Sequence, residues 1–418
     1  MNLKFNIDDK LPFGQQMLYA AQWLILAIAV VSTSTFVAQG SDAEKLFFAQ
    51  KLFAVIGVTG LIQVLWGHKL PIVVGPASVL LVGVISSLDA QAPTNAIYTS
   101  IAIGGVLVTL LTFGGLLRYV QRLFTPRIVV VILMLIALTL APVIKNLIFP
   151  EKAAEGVHMF GLVFTLLGCL GMVVLNRTLR GVVKSLVIPV ALIVGSVAYY
   201  MLFPMANNPG SAASLDGLFL ESMSVDWSLI VAFVICYVAL LINDVGSIEA
   251  LGAMLGVQGM DSRLKRGVRI TGIMNIVAGS MGVLGPVNYS MSPGVIASTG
   301  CASRWALVPA TVVLALFAIF PDAVFILTNI PHTVIGVILL FLMGTQLAAG
   351  LEMIHSTRSV QSFSDALTIG LPLMMAMLFQ LMPVGVVPAV IQPLVGNGFA
   401  MGVITVILME HVVNRAKK

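Results

Sequence analysis

The chain has few charged residues for its length. Only 9% of its 418 residues are Asp, Glu, Lys or Arg, whereas about 25% is usual in a soluble domain. Apolar residues make up 59% of the chain, and its mean hydropathy is +1.06. A soluble protein of this size needs more charge to cover its surface, so the composition excludes a soluble enzyme. We predict a polytopic, all-α membrane protein.

The sequence also lacks the patterns of redox, metal and nucleotide chemistry. Its three cysteines, Cys169, Cys236 and Cys301, have no CxxC spacing and lie in or beside apolar segments. This favours small core residues over a disulfide framework or a zinc cluster. No two histidines have metal-ligand spacing, and His68 lies at the edge of a loop. Without a Walker-type loop or a Ser/His/Asp set, we expect no catalytic residue, no metal and no organic cofactor.

Fourteen apolar segments approach the length that crosses a membrane, which is about 20 residues for about 30 Å. They are 16–38, 46–66, 70–88, 94–117, 126–148, 157–176, 182–203, 227–255, 266–284, 286–302, 303–321, 325–350, 363–382 and 385–410. The third and the tenth are too short or too broken for simple helices. The first 15 residues contain four charges and no cleavable signal peptide, so we expect the first segment to stay in the membrane.

The basic residues fit this count. With the N-terminus inside, all of the 22 Lys and Arg fall in inside segments except Lys45, Lys51, Lys145 and Lys152. The outside loops carry mostly acids. This asymmetry predicts a multi-pass protein of the cell (inner) membrane with both termini cytoplasmic. The net charge of +5 is therefore a topology signal, and we expect no nucleic-acid partner.

Two stretches half a chain apart resemble each other. Pro126 and Pro331, which lie 205 residues apart, each precede a β-branched stretch. The separation equals seven segments, an odd number, so equivalent segments would cross the membrane in opposite directions. Chance similarity between two apolar stretches is the alternative. The longest loop, 204–226, is rich in Asn, Gly, Pro and Ser near the chain midpoint, which predicts an extracellular linker between two halves.

The short third and tenth segments form a second pair. Residues 70–78 and 285–294 are both interrupted by proline and glycine, which break helical hydrogen bonding. Irregular backbone survives at membrane depth only where protein or a wet cavity satisfies it. Paired interrupted segments in inverted halves are typical of the substrate site of a secondary transporter. We predict extended starts here, and helices from near Ser78 and Gly294 that direct their N–H groups at the substrate. The alternative is a kink that aids packing.

Only two acids lie clearly inside a segment, Asp244 and Glu249, and burying a charge costs at least ~2.5 kcal/mol. Asn243 and Ser247 are four residues apart and share a helix face that could bind a polar ligand. Asp244 lies about 100° round from Asn243. It could take up a coupling proton, or it could stabilise the broken segments through their N–H groups. We expect Glu249 to reach the cytoplasmic interface or to pair with an arginine.

Four motifs of the chain are 12–16 (PFGQQ), 61–78 (LIQVLWGHKLPIVVGPAS), 294–304 (GVIASTGCASR) and 330–336 (IPHTVIG). They resemble motifs of the nucleobase–ascorbate transporter family, also called the nucleobase:cation symporter-2 or xanthine/uracil permease family, and the motif at 294–304 is the most specific. The resemblance covers nearly the whole chain. It implies a nucleobase carrier with an elevator-type alternating-access mechanism, in which the substrate binds between short β-strands in the third and tenth segments. It also implies a homodimer in the lipid bilayer through gate domains.

The implied fold is a 7+7 inverted repeat of 14 transmembrane segments. Residues 16–117 and 227–321 would form a core domain, and residues 126–203 and 325–410 a gate domain. The implied substrate-binding positions are Asn243, Ser247, Ser78, Tyr289, Ser290, Met291, Ser292 and Gly294, with Asp244 as the candidate for proton coupling.

The sequence departs from the family where its carboxylates are expected. Asn243 replaces the usual glutamate of the eighth segment, and Ser247 replaces an aspartate or histidine. Met291 stands at the position of a Glu or Gln, Ser292 at that of an asparagine, and Ser78 at that of an aromatic residue. These changes fit a different polar substrate, uncoupled transport, or coupling moved to Asp244. An amide can still donate and accept toward a lactam edge, so a nucleobase fits.

Two classes of function stay open. The first is a carrier of purine or pyrimidine bases, either proton-coupled or uncoupled. The second is a carrier or uniporter of an anion or another small polar solute on the related sulfate-transporter-like fold, where facing helix N-termini bind an anion. We expect the first, because the sulfate-transporter family usually carries a large C-terminal domain and this chain ends eight residues after Glu410. A receptor or scaffold has no supporting domain.

Overall fold

The computed structural model describes residues 3–32, 34–113, 115, 117, 125–150, 156–179, 187–203, 217–289, 292, 295–296, 300–383, 386–388 and 395–414. The first half of the chain contains helices α1 (Phe13–Ser32), α2 (Asp42–Leu65), α3 (Ser78–Asp89), α4 (Thr94–Leu111), α5 (Pro126–Thr139), α6 (Ala141–Ile148), α7 (Val157–Thr178) and α8 (Val187–Tyr200). Strand β1 (Val74–Pro76) lies between α2 and α3.

The second half repeats this mostly helical character. It contains α9 (Trp227–Met254), α10 (Met260–Ser280), strand β2 (Pro286–Asn288), α11 (Leu307–Phe317), α12 (Pro321–Thr328), α13 (His332–Thr357), α14 (Phe363–Gln380) and α15 (Gly398–Leu408). Helix α13 begins later than the segment 325–350 predicted for it, because the chain breaks at Ile330-Pro331 and Pro331 caps the helix. The first part of the predicted linker, residues 204–216, lies outside the described residues.

Several helices begin at caps that the sequence encodes locally. Ser41 and Glu44 form a capping box at the start of α2, and Ser362 and Asp365 form one at α14. The Thr125 side chain accepts a bond from Ile128 N, with proline at the first helical position of α5. These side chains satisfy N–H groups that would otherwise lack a partner at each helix start.

Eight helices within the described ranges are long and apolar enough to cross a membrane. A further pair, Arg304–Phe317 and Pro321–Leu327, passes the same test together but is bent by 106°. Three shorter apolar helices, among them α3, lie below the length limit. The multi-pass character expected from composition is therefore confirmed, whereas the count of fourteen segments stays a prediction.

The quarters of the chain pack in an alternating pattern. Helix α4 packs along α10, and α2 and α1 pack against α11. Helix α5 packs against α13, α14 and α15, and α13 also contacts α6 and α7. The helices of the first quarter of the chain thus pack against those of the third quarter, and the helices of the second quarter pack against those of the fourth.

Glycines allow α4 and α10 to touch backbone to backbone. A Cβ added at Gly279 would meet the backbone N and Cα of Ala102 and the carbonyl O of Tyr98. A Cβ at Gly105 would lie 2.6 Å from Ile276 N, closer than real contacts allow. Small residues at a helix interface favour close association in membranes, where lipid supplies no hydrophobic drive between helices.

We expect Gly279→Ala to lower the thermal unfolding midpoint of the purified protein, because α4 and α10 must separate to admit the methyl group. The matched control is Gly344→Ala in α13, where an added Cβ has nothing within 4 Å. Both changes raise helix propensity by about 1 kcal/mol, so their difference reports packing alone. Equal midpoints for the two variants would contradict the close contact.

Candidate functional site

Two short antiparallel strands form the centre of the candidate site. Val74 pairs with Asn288, Gly75 with Val287, and Pro76 with Pro286. Tyr289 N donates to Val73 O at 2.9 Å, and Ala77 N donates to Gly285 O at 2.9 Å, which extends the pairing at both ends. The strands come from opposite halves of the chain, and each supplies hydrogen-bond partners for backbone that would otherwise be unsatisfied in an apolar interior.

Helix α3 begins directly after β1. Its first residue, Ser78, is half-buried, and its N-cap residue, Ala77, provides no side-chain cap. The first turn of a helix therefore presents uncapped N–H groups beside the strand pair, with the partial positive charge of the helix dipole. The matching helix start predicted near Gly294 lies outside the described residues, as do Ser290 and Met291.

Tyr289 closes the end of the strand pair. Its hydroxyl donates to Pro76 O at 2.6 Å, and its ring covers Gly75, where an added Cβ would lie 2.5 Å from Cε2. The hydroxyl is thus occupied by backbone. The half-buried ring is the part of Tyr289 that can offer an aromatic surface to a ligand.

The side chain of Ser292 also forms hydrogen bonds with the backbone. Its Oγ accepts from Val73 N at 3.0 Å and donates to Tyr289 O at 3.2 Å, and the residue is wholly buried. In this conformation the hydroxyl joins the residues that follow β2 to the residue that precedes β1. Ser292 shapes the site here instead of presenting a free polar group.

One face of α9 is polar and open. Asn243 is partly exposed, and its amide makes no side-chain hydrogen bond to another described residue. Gly246, one turn further, is exposed, and an added Cβ there has nothing within 4 Å. Ser247 is 2% exposed, and its Oγ has no hydrogen-bond partner within the described part of the chain. The amide of Asn243 thus lies beside the free space at Gly246, and Ser247 adds a buried hydroxyl for which the described residues supply no partner.

Asp244 points away from that face and into the protein. Its Oδ1 accepts two bonds from Asn288, from the backbone N at 3.0 Å and from Nδ2 at 2.8 Å. Its Oδ2 has no partner with full hydrogen-bond geometry, and the hydroxyl of Thr271 lies within reach of the carboxyl. The wholly buried carboxylate thus anchors β2 to α9, which is one of the two roles the sequence left open.

Three further polar residues, which the sequence analysis did not single out, support the surroundings of the strands. Asn275 Nδ2 donates to Pro286 O at 2.9 Å, and the Tyr237 hydroxyl lies 2.8 Å from Asn275 Oδ1. Gln63 Nε2 donates to Gly267 O at 2.9 Å and to the Thr271 hydroxyl at 3.1 Å. An amide inside an apolar segment was the available clue, because such a group is buried only with partners.

His68 is the residue whose position differs most from expectation. The sequence places it at a loop edge, but the side chain is wholly buried. Its Nε2 lies 3.0 Å from Asn288 Oδ1, and its Nδ1 accepts from Leu70 N at 3.0 Å. Lys69 adopts a left-handed conformation with φ 55°, which turns the chain so that His68 faces inward. Sequence spacing alone does not reveal this turn.

The described residues contain no group of three His, Cys, Asp or Glu that could hold a metal ion. The site instead combines a partly exposed amide, a buried hydroxyl, a half-buried aromatic ring and a helix start without a side-chain cap. These groups suit a small, polar, planar or anionic solute.

The chain is similar in sequence to several characterised permeases. It is 25% identical to the xanthine permease of Bacillus subtilis, over 91% of this chain and 90% of that protein. It is 24% identical to the xanthine permease XanP of Escherichia coli, over 98% of this chain and 94% of the relative. The uric acid permease PucJ of Bacillus subtilis is 24% identical, over 85% of this chain and 82% of its own length.

Solved transporter structures share the fold. The transmembrane domain of the cyanobacterial bicarbonate transporter BicA matches with a TM-score of 0.65 at 16% identity, covering 97% of this chain and 98% of the other. The murine anion transporter Slc26a9 in its inward-facing state also gives 0.65, at 14% identity, with coverage of 98% and 70%. At these identities the likeness concerns the fold alone.

The family model for xanthine/uracil permeases, described as "Permease family", matches residues 14–385. This span covers most of the chain, including both strands and α9. The protein is therefore a transporter and not an enzyme, and it belongs to the xanthine/uracil permease family of nucleobase transporters.

Proposed function

We propose that the protein is a secondary transporter that moves a nucleobase, a purine or pyrimidine such as xanthine or uracil, across the membrane. The observation that carries this proposal is the polar face of α9, where the partly exposed amide of Asn243 and the buried hydroxyl of Ser247 have no hydrogen-bond partner among the described residues. A buried hydroxyl without a partner costs free energy, which a polar ligand can recover on binding. Relatives named as xanthine and uric acid permeases agree with this substrate class.

The groups around this face suit a lactam. The Asn243 amide can donate to a ring carbonyl and accept from a ring N–H at the same edge. The ring of Tyr289 offers an apolar surface for a planar heterocycle, and the N–H groups at Ser78 favour a carbonyl oxygen or an anionic tautomer. Asn243 replaces the glutamate, and Ser247 the aspartate or histidine, that the family resemblance implies. Recognition here therefore depends on neutral hydrogen bonds.

The proposed architecture is a 7+7 inverted repeat with a core and a gate. Residues 16–117 and 227–321 would form the core, and residues 126–203 and 325–410 the gate. The contacts of α4 with α10 and of α5 with α13 support this grouping, as do the strands contributed by the two halves. We propose that the core carries the substrate past the gate in an elevator-type movement and that gate domains form a homodimer. The basic residues favour an inner-membrane protein with both termini cytoplasmic.

Proton coupling at Asp244 is part of the proposal. A carboxylate that binds β2 through Asn288 N weakens that bond when it takes up a proton, because a neutral acid is a poorer acceptor. Protonation would therefore change the strand that borders the substrate. This links the proton to the site without requiring the carboxylate to touch the substrate.

A second candidate is an anion carrier. BicA and Slc26a9 transport anions on this fold, according to their descriptions, and α3 begins without a side-chain cap beside the strands. An uncapped helix start binds anions without any acidic or basic side chain. The two candidates differ in the ligand and not in the position of the site.

A thermal-shift panel on the purified protein separates these candidates. We expect uracil, xanthine, guanine or adenine to raise the unfolding midpoint, because a ligand at 100 times its Kd stabilises by about 2.7 kcal/mol. Chloride, sulfate and bicarbonate at equal ionic strength are the comparison set. Stabilisation by one of these anions and by no base would favour the anion carrier.

Asn243→Ala is expected to weaken binding of the base at least tenfold, or by about 1.4 kcal/mol, through loss of the amide hydrogen bonds. Equilibrium binding of radiolabelled substrate measures this. The matched control is Asn95→Ala, which removes an amide that bonds Ser222 away from α9. An unchanged Kd for Asn243→Ala would place the site elsewhere.

Two substitutions at Asp244 separate coupling from anchoring. Asp244→Asn keeps an oxygen that can accept from Asn288 but cannot take up a proton, so we expect substrate exchange to persist and accumulation driven by a pH gradient to stop. Asp244→Ala removes the anchor as well, and we expect weaker binding of the base. Both are measured in proteoliposomes. If Asp244→Asn accumulates substrate to the wild-type level, Asp244 is an anchor only.

A further inference from the structure

His68 lies between α2 and β1, pressed against α10. A Cβ added at Gly267 would lie 3.2 Å from His68 Cβ and 3.4 Å from its Cδ2, so the imidazole fills the space that the glycine leaves. Nη1 of Arg263 donates to the carbonyl oxygens of His68 and Lys69 at 3.0 Å each. The ring is thus fixed on its backbone side as well as on its edge.

The hydrogen bonds of His68 define its tautomer. Leu70 N can only donate, so Nδ1, which accepts from it at 3.0 Å, carries no proton. The neutral ring must then carry its proton on Nε2, which donates to Asn288 Oδ1 at 3.0 Å. If Nδ1 were protonated as well, its hydrogen would clash with the hydrogen on Leu70 N, and this hydrogen bond would be lost. His68 is therefore a fixed donor in this conformation and not a proton carrier.

The N–H donor of His68 fixes the orientation of the Asn288 side-chain amide. Because Oδ1 faces His68, Nδ2 faces Asp244 Oδ1 at 2.8 Å, next to the backbone N–H bond at 3.0 Å. The chain of bonds runs in one direction, from Leu70 N–H through His68 and Asn288 to Asp244. It connects the turn before β1, strand β2 and helix α9, and all three side chains are wholly buried.

We propose that His68 is a positioning residue for transport, which, through Asn288, directs two N–H donors at Asp244 and so sets the pH at which Asp244 takes up the coupling proton. This inference rests on the proposed proton coupling at Asp244. Hydrogen bonds to a carboxylate favour its charged form. Without the His68 donor, the Asn288 amide is free to turn its own oxygen toward Asp244. One donor is then lost and an acceptor faces the carboxylate, so Asp244 binds its proton at higher pH.

Few other charges in the described parts of the chain bear on this unit. Of the charged groups on α10, Arg263 contacts the His68 turn, Arg269 bonds Thr112, and Asp261, Lys265 and Arg266 are exposed. On the remaining elements around Asp244, the titratable groups are Cys236, Tyr237 and the exposed Glu249 of α9, Tyr289 directly after β2, Tyr98 of α4, Asp89 at the end of α3, and Asp42, Glu44, Lys45 and Lys51 in the first half of α2. Arg263 is constant in charge, so its effect does not change with pH.

The test is an infrared titration of the full-length protein in lipid, over about pH 4 to 9. The carboxyl band of Asp244 is assigned by its absence in Asp244→Asn. We expect His68→Leu to move the midpoint of that band upward by about one pH unit, a tenfold change in proton affinity. His68→Gln restores an N–H donor at the position of Nε2 and is expected to return the midpoint to the wild-type value. His355→Leu, at an exposed histidine of α13, is the matched control and should leave it unchanged.

The outcomes distinguish this inference from the function on which it rests. If the band titrates in the wild type and His68→Leu leaves its midpoint in place, His68 does not position Asp244. If no Asp244 band titrates in the wild type, proton coupling at Asp244 itself is overturned. Should His68→Leu fail to fold, the pair His68→Gln and His68→Asn replaces it. The shorter amide of Asn does not reach Asn288, so only His68→Asn is expected to move the midpoint upward, and equal midpoints would overturn the inference.

Discussion

The structure depends on how two broken segments satisfy their backbone in an apolar interior. Three residues of β1 and three of β2 leave helical geometry, and each unpaired N–H or C=O there would cost several kcal/mol in lipid. Pairing between the strands meets part of this demand. Side chains meet the rest: Asp244 binds Asn288 N, Asn275 binds Pro286 O, and Ser292 binds Val73 N. The buried polar side chains around the strands therefore serve mainly as hydrogen-bond partners of the backbone.

This demand explains why the polar residues of α9 and of the neighbouring strand region fall into two sets. One set, with Asp244, Asn288 and His68 at its centre, is fully buried and bonded in a fixed direction. The other set, Asn243 and Ser247, lies on the next face of the same helix and has no side-chain hydrogen bond to any residue that the structure describes. A rotation of about 100° between neighbouring residues of α9 separates the face that supports β2 from the face that carries Asn243 and Ser247. A one-residue shift in this helix would exchange the two.

The general character of the fold could be predicted from the sequence, because charge scarcity and apolar length depend on composition. The interruptions at residues 70–78 and 285–294 were visible as Pro and Gly, and the structure brings these stretches together as paired strands. The sequence did not show which way individual side chains point. His68 is turned inward by the left-handed conformation of Lys69, and Ser292 is taken up by the backbone of Val73. Both outcomes depend on contacts between distant parts of the chain, which local patterns do not encode.

The family resemblance implies a glutamate at Asn243, an aspartate or histidine at Ser247 and a Glu or Gln at Met291, and the neutral residues found there have a physical consequence for the proposed site. A carboxylate that faces a substrate must give up water each time the site closes, at a cost that a neutral amide avoids. Here the carboxylate of Asp244 is wholly buried, and it accepts both of its hydrogen bonds from Asn288 and not from the face that carries Asn243. Asp244 and Asn243 thus lie on different faces of α9. In the proposed mechanism the coupling between proton and substrate passes through β2, because Asp244 bonds both the backbone N and the side-chain amide of Asn288.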